Sequence, residues 1–345
     1  MKQLNKSWLY GLILLVVLVF FQIYNGGFLQ PASKGEPVRL EGSTMGTTYH
    51  ITYFDADGRN FQQEIDSLLV AFNQSLSTYI PDSEISTFNK HAILKFELPY
   101  FLPMLEMSKE VYDLSGGAYD PTVGPLVNAW GFGPEGRQTP DPLVVDSLIR
   151  LVGFDSIYYD SVSVCKLKAN IQLDFSAIAK GYGADVISDF LLAQNIENHF
   201  VEIGGEIMCH GTNQQNKKWR VGINVPSPDA EMQSAHAIIS LSDKGIATSG
   251  NYRNYYIKDG RKYAHTISPV TGAPVEHSLL SATVVAQDCA TADAVATALM
   301  VMGLEKGKEM LEEREDLEAY LIYSDDNGRM KMYVTEGLSD QVNSL

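Results

Sequence analysis

Apolar residues recur at intervals of three and four along residues 61–76, at Phe61, Ile65, Leu68, Leu69, Phe72 and Leu76. That period places them on one face and predicts an amphipathic helix. Residues 47–54, TTYHITYF, alternate instead and are rich in β-branched and aromatic side chains, as a half-buried strand requires. The GSTMG run before them reads as a flexible lead-in. A second helix is expected over 100–114, with Leu102, Leu105, Val111 and Tyr112 inward and Gly116-Gly117 as its stop. Residues 117–134 are dense in Gly and Pro and carry Tyr119, Trp130 and Phe132, the composition of a structured loop around a short helix.

Further on, residues 142–152 read as helix, and 157–159 with 162–167 as a hairpin. Strands are expected at 199–203, up to His210, and at 219–224, 237–241 and 246–248. Residues 252–256 and 261–264 flank an Asp259-Gly260 turn, a hairpin signal. A long apolar strand covers 279–286. A small-residue helix over 292–302 is apolar all round and therefore buried on most sides. Residues 317–323 and 330–334 close the chain as a hairpin. Many strands, several helices and no βαβ alternation predict an α+β fold with helices packed on antiparallel sheet.

The segment 174–185, DFSAIAKGYGAD, stands out between a strand end at 171–173 and a helical pattern at Ala184, Ile187, Phe190 and Leu191. Ser176 and Asp174 are its cap candidates. A small-residue turn feeding a helix brings backbone N–H groups and Lys180 to one place, where an anion could rest. An ordinary helix start with a solvated Lys180 fits the pattern equally well. The segment is neither a P-loop nor a dinucleotide fingerprint.

The chain has 345 residues, 45% hydrophobic and 20% charged, enough for a large core in one large domain or two small ones. Its net charge of −16 argues against a nucleic-acid partner. Residues 8–24 are almost unbrokenly apolar and follow Lys2 and Lys6. They read as a signal peptide or a membrane anchor. No clear small-residue cleavage site follows, so an uncleaved anchor is favoured, with the body outside the cytoplasm. The expected organisation is anchor 1–25, tether 26–38 and one domain over 39–345. Cys165, Cys209 and Cys289 have no metal-site spacing and read as buried free thiols.

Asp293 and Thr297 are four apart on the Ala-rich helix and share a face. Two oxygen ligands one turn apart suit Mg²⁺ or Ca²⁺, whereas a surface Asp and a back-bonded Thr would give the same spacing. His265, at a strand end, is a candidate general base or a merely packed histidine. Glu206 after Gly204-Gly205 faces a ligand or simply follows a turn. Residues 249–253, SGNYR, offer donors to an anion or form a plain loop.

Singly these signals are weak, but their order is informative. Met45-Gly46-Thr47, Ser77-Thr78-Tyr79, Gly117-Ala118-Tyr119-Asp120, Val123-Gly124-Pro125-Leu126-Val127, Trp130-Gly131-Phe132-Gly133, the 174–185 segment, Gly204-Gly205-Glu206, Thr248-Ser249-Gly250, His265-Thr266-Ile267-Ser268-Pro269 and Ala292-Asp293 with Thr297-Ala298 occur in sequence. In that order they resemble the ApbE family, the FAD:protein FMN transferases, from about Met45 to the last hairpin. The resemblance implies a T-fold-related α+β architecture, with FAD as substrate and Mg²⁺ on its pyrophosphate. By motif match, Met45, Tyr79, Ala118, Tyr119, Asp120, Asp174, Lys180 and Ile267 would contact FAD. Ala177, through its carbonyl, with Asp293 and Thr297 would hold Mg²⁺, and His265 matches the histidine required for transfer. The departures are Tyr119, where Phe or Met is also usual, Ala177, where Thr or Gly can sit, and Ala296, where some members carry Asp.

The implied reaction is attack of an acceptor protein's Thr or Ser hydroxyl on the FMN-side phosphorus, with AMP leaving. The implied acceptor is a flavoprotein subunit, for example of a membrane respiratory complex, and the implied address is the periplasmic face of the cell inner membrane. FAD hydrolysis to FMN and AMP is the rival within the same site, and a non-catalytic flavin carrier is the rival from another class. A carrier has no use for His265, Asp293 and Thr297 together.

Overall fold

The computed structural model describes residues 34–132, 139–224, 235–251, 255–258 and 261–344. Strands β1 (Pro37–Thr44) and β2 (Thr47–Phe54) pair antiparallel, with Thr44 opposite Thr47. Met45 and Gly46 between them both have positive φ, 49° and 73°. Such turns match the twist of the strands they join. The expected flexible lead-in is therefore the end of a strand. Its Gly42 makes room for Tyr49: a Cβ there would lie 2.6 Å from the Tyr49 ring. The ring covers the glycine, and polar β1 takes its order from this pairing rather than from its own pattern.

Helices α1 (Gln62–Leu76) and α2 (Glu84–Lys90) follow, then β3 (Ile93–Lys95), α3 (Phe101–Leu114), α4 (Gly124–Ala129) and α5 (Pro142–Ile149). Of the residues expected inward on α3, Leu105 and Val111 are buried, while Leu102 and Tyr112 are half-buried. The expected hairpin is present as β4 (Ile157–Tyr159) and β5 (Ser163–Lys166), and β3 pairs with the other side of β5.

The rest comprises α6 (Ala179–Ala193), β6 (His199–Ile203), β7 (Glu206–His210), β8 (Trp219–Asn224), β9 (Ala235–Leu241), β10 (Lys244–Gly250), β11 (Tyr255–Lys258), β12 (Arg261–Ala264) and β13 (Leu279–Ala286). Then come α7 (Cys289–Met302), α8 (Leu304–Glu312), β14 (Glu318–Ser324), β15 (Met330–Val334), α9 (Glu336–Ser339) and β16 (Val342–Ser344). Eight strands form one sheet in the order β1-β2-β6-β7-β10-β13-β14-β15. Every neighbouring pair in it is antiparallel. The α+β expectation holds.

The sheet separates two cores. On one face α7 packs with Ala247, Ala282, Val284 and Ala286, which is why its helix is made of small residues. On the other face Ile207, Ile246, Val285 and Ile322 meet Trp219, Val221 and Ile239 of the three-stranded sheet β16-β9-β8. The result is three layers, with helices and a small sheet on opposite faces of the large one. Cys209 and Cys289 are buried, Cys165 is half-buried, and all three are free thiols. Among the described residues no helix is long and apolar enough to cross a membrane. The apolar run 8–24, Gly133 and residues 252–254 lie outside the described residues.

His199, wholly buried, links α6 to β6. One ring nitrogen lies 2.7 Å from Ser188 Oγ and the other 2.9 Å from the Ile196 carbonyl. Its ring stacks on His210, centroids 5.5 Å apart. Burial lowers its pKa from 6.5 to about 4. The unfolded chain takes up this proton below pH 6.5, whereas the folded chain resists it until about pH 4. Stability is therefore lost as pH falls through that window, by on the order of 3 kcal/mol from this group. His199→Gln should be less stable than wild type at neutral pH, with the gap closing toward pH 4. Denaturant melts at both pH values check this, and a constant gap would exclude it.

Candidate functional site

Residues 171–174 are fixed from three sides. The Asn89 side chain donates to the Leu173 carbonyl at 2.9 Å and accepts from the Leu173 N–H at 2.8 Å. The buried Lys166 ammonium donates to the carbonyls of Phe88, Asn89 and Ile171 at 2.8–3.0 Å. The Asp174 N–H donates to the Pro121 carbonyl at 2.7 Å. Helix α6 then starts at Ala179, with Ile178 at the cap position and no side-chain cap. The cap reading of Asp174 and Ser176 is thus corrected. Asp174 Oδ1 accepts the Ser176 N–H at 2.8 Å in a local turn before the helix, the side-chain-to-backbone bond that Asp forms readily outside helices.

The start of α7 lies against this point. Asp288 caps it through the Thr291 N–H at 2.7 Å, as expected of a cap residue. Asp185 of α6 accepts the N–H groups of Cys289 and Ala290, each at 2.8 Å. The approach is close enough that only glycine fits. A Cβ on Gly181 would lie 2.3 Å from the Cys289 carbonyl oxygen, and one on Gly245 2.3 Å from the Cys289 nitrogen.

Asp293, 3% exposed, accepts the Gly181 N–H at 3.1 Å. That N–H is one of the first of α6, which have no partner within the helix, and Asp293 satisfies it from α7; the Ala177 carbonyl lies just before the helix, on the wall of the pocket that Thr297 also lines. Thr297, one turn on, is 3.0 Å from Ser249 Oγ. When Thr297 donates to Ser249, its lone pairs are left for another partner. A surface Asp and a back-bonded Thr are therefore excluded. A carbonyl, a carboxylate and a hydroxyl lie around the α6–α7 contact, and these are the oxygens a small hard cation prefers.

Lys180 joins the same cluster. Its Nζ is 3.2 Å from Glu206 Oε1 and 3.8 Å from Asp293 Oδ2. Burial pulls the ammonium pKa down, but the two carboxylates outweigh it and hold the lysine above its usual value. Burial pushes Glu206 up to about 7, against the pull of Lys180, and raises Asp293 as well. Lys180 is thus an ion-paired group and not a solvated one. Glu206 arrives on a turn, Gly204-Gly205, whose φ angles are 64° and 109°.

Two connected pockets open here. The larger, about 670 Å³, is lined by Met45, Asn73, Leu76, Ala179 and Lys180 among others. The smaller, about 320 Å³, takes Ala118, Tyr119, Asp120, Ala177, Ile267 and Thr297. Both share Thr78, Tyr79, Asp174 and Ser176. The smaller pocket also contains His265, whose ring is 6.4 Å from that of Phe132. Every residue that the family resemblance implied lines one of these pockets except Asp293, and Glu206 lines neither of them. Tyr79 is 70% exposed at their junction. Tyr119 is buried, with its hydroxyl 3.0 Å from Ser108 Oγ, and Asp120 accepts from the Thr122 N–H and hydroxyl at 2.8 and 2.6 Å. These two side chains brace the wall, and burial raises the pKa of both.

Asn73, whose side chain donates to Thr44 Oγ1 at 2.9 Å, is a pocket residue outside the expected set, and Ser249, expected as a donor to an anion, is instead the partner of Thr297. A polar residue between Phe72 and Leu76 on an apolar helix face was the available signal for Asn73. Of the SGNYR run, Ser249 reaches the site, and Asn251 accepts from the Thr266 hydroxyl at 2.8 Å.

A family model described as "ApbE family" matches residues 45–321. The chain belongs to the ApbE family. It is 41% identical over 334 residues to the FAD:protein FMN transferase of Vibrio cholerae, covering 93% of this chain and 95% of that one. It is 36% identical over 311 residues to the FAD:protein FMN transferase of Escherichia coli K12, with 85% and 86% covered. Among solved structures, the flavin transferase ApbE from Vibrio cholerae superposes with a TM-score of 0.80 at 39% identity, over 89% of this chain and 99% of that one. The Pseudomonas stutzeri flavinyl transferase ApbE in its apo form gives 0.79 at 33%, over 89% and 96%.

Gly181 and Gly245 are equally tight constraints in this ApbE-family site, and Gly181 is the one on the α6 side. Gly181→Ala forces a methyl group onto backbone that cannot rotate away, and should cost about 1–3 kcal/mol. A denaturant midpoint matching wild type would show that α6 and α7 can separate without penalty.

Proposed function

We propose that this chain transfers FMN from FAD to a Thr or Ser hydroxyl of an acceptor protein and releases AMP. The observation that carries the reading is the joint between the two pockets. A long dinucleotide spanning both would set its middle, the pyrophosphate, beside Asp174, the start of α6 and Lys180. A helix start and a lysine are the features that favour an anion there. The curated relatives carry the transferase name, which supports the same reading.

The oxygens of Ala177, Asp293 and Thr297 fit Mg²⁺ in number and type. Bound there, Mg²⁺ would supply positive charge against the pyrophosphate that an acidic chain otherwise lacks. The protein's own groups do the rest. Met45, Tyr79 and Ile267 offer apolar surface to the nucleotide, and Lys180 offers charge. The acceptor oxygen bonds to the FMN-side phosphorus while the anhydride P–O bond breaks, and AMP leaves with the electron pair. His265, in the smaller pocket, is placed to take the hydroxyl proton.

The test is incubation with FAD, Mg²⁺ and an acceptor flavoprotein subunit, following AMP and protein-bound flavin fluorescence. His265→Asn should still bind FAD but transfer about 10²–10⁴-fold more slowly, with an altered pH profile. Asp293→Ala should abolish Mg²⁺-dependent turnover while leaving the fold largely intact. A His265→Asn rate close to wild type would remove the base role. AMP release without protein-bound flavin would make water the acceptor.

The apolar run 8–24 after Lys2 and Lys6 supports a membrane-anchored protein with its body on the periplasmic side. There it would meet acceptors such as flavoprotein subunits of membrane respiratory complexes. N-terminal sequencing of the membrane-bound protein should find the run retained. A mature N-terminus beyond Tyr24 would sink the anchor.

A further inference from the structure

Lys180 leans on two carboxylates, and one of them has another task. Its Nζ lies 3.2 Å from Glu206 Oε1 and 3.8 Å from Asp293 Oδ2. Asp293 shares a helix face with Thr297, which lines the smaller pocket. A divalent cation drawn to these oxygens would compete with the ammonium for one carboxylate.

Glu206 is built differently. It is 6% exposed, and its second oxygen, Oε2, is buried without a hydrogen-bond partner among the described residues. A buried orphan acceptor is costly and calls for a reason. Its backbone is set by the Gly204-Gly205 turn and by pairing with Ile203 as β7 begins. The same turn guides the lysine stem. A Cβ on Gly204 would lie 3.2 Å from Lys180 Cδ and 2.8 Å from Thr47 Cγ2. Glu206 is therefore a carboxyl group fixed in place beside Lys180, with one oxygen to spare.

We propose that Glu206 is a positioning residue that holds Lys180 in the site when Asp293 turns to a divalent cation, so that lysine and cation are present together. As the ammonium leaves Asp293, the unpartnered Glu206 oxygen receives it. Glu206 lines neither of the two pockets and acts through the lysine, which lines the larger. The proposal rests on the cation-assisted reading of the site given above.

The experiment is a Mn²⁺ titration of the full chain at saturating FAD without acceptor protein, with free Mn²⁺ read by electron paramagnetic resonance. In Glu206→Gln the lysine has only Asp293 left, and Mn²⁺ should bind about tenfold more weakly. Glu206→Asp keeps the charge and should recover most of that loss. In a Lys180→Met background the Glu206→Gln change should have no further effect, because nothing remains to compete. Equal Mn²⁺ affinity in wild type and Glu206→Gln overturns the proposal. So does an equal loss in the Lys180→Met background, which would make Glu206 act by its own field. Glu206→Asp binding as weakly as Glu206→Gln overturns it too. A wild-type chain that binds no Mn²⁺ fails earlier, and takes the cation reading of the site with it.

Discussion

The contact between the first turn of α7 and the two glycines beneath it is the constraint on which the site depends. Gly181 and Gly245 bring α6 and β10 against the Cys289 backbone, and Asp185 and Asp288 satisfy the N–H groups that this turn would otherwise bury unpaired. The close approach is what carries Asp293 to the Gly181 N–H, a first-turn donor with no partner in its own helix. A wider spacing would leave Asp293 a buried acid with no donor and Lys180 without its second carboxylate. Packing and electrostatics are thus set by the same absence of two β-carbons.

Much of this was legible in the chain. The apolar period of α1, the alternation of β2 and the small-residue run of α7 each state their environment, because in each the pattern of buried positions follows the geometry of the element itself. Asp293 and Thr297 were legible as a pair because helical spacing fixes which residues share a face. Strand β1 was not, since its residues are mostly polar and its order comes from pairing with β2. The roles of Asp174 and Ser176 were misread because a turn just before a helix uses the same residue types as a cap. Glu206 carried an ambiguous signal: Gly-Gly-Glu announces a turn, but not which lysine lies over it.

Met45 shows how the two kinds of information meet. Its φ of 49° is uncommon for a side chain other than Gly, Asn or Asp and costs on the order of 1 kcal/mol. The side chain lies in the larger pocket and also packs on the helix core. A glycine or asparagine would satisfy the turn more cheaply, so the methionine is held by what it touches. That locates the strain at a surface suited to a ligand.

The smaller pocket is assembled from residues 78–79, 118–132, 174–177, 265–269 and 297–301. No single stretch of the chain contains it. A molecule seated across these segments bridges parts of the chain more than 200 residues apart and has nothing comparable to bind in the unfolded state. Nucleotide occupancy thereby becomes a term in the folding equilibrium of the whole domain. At a concentration 100 times its dissociation constant, such a ligand adds about 2.7 kcal/mol to the unfolding free energy. A chain with its pocket filled therefore resists unfolding more than an empty one.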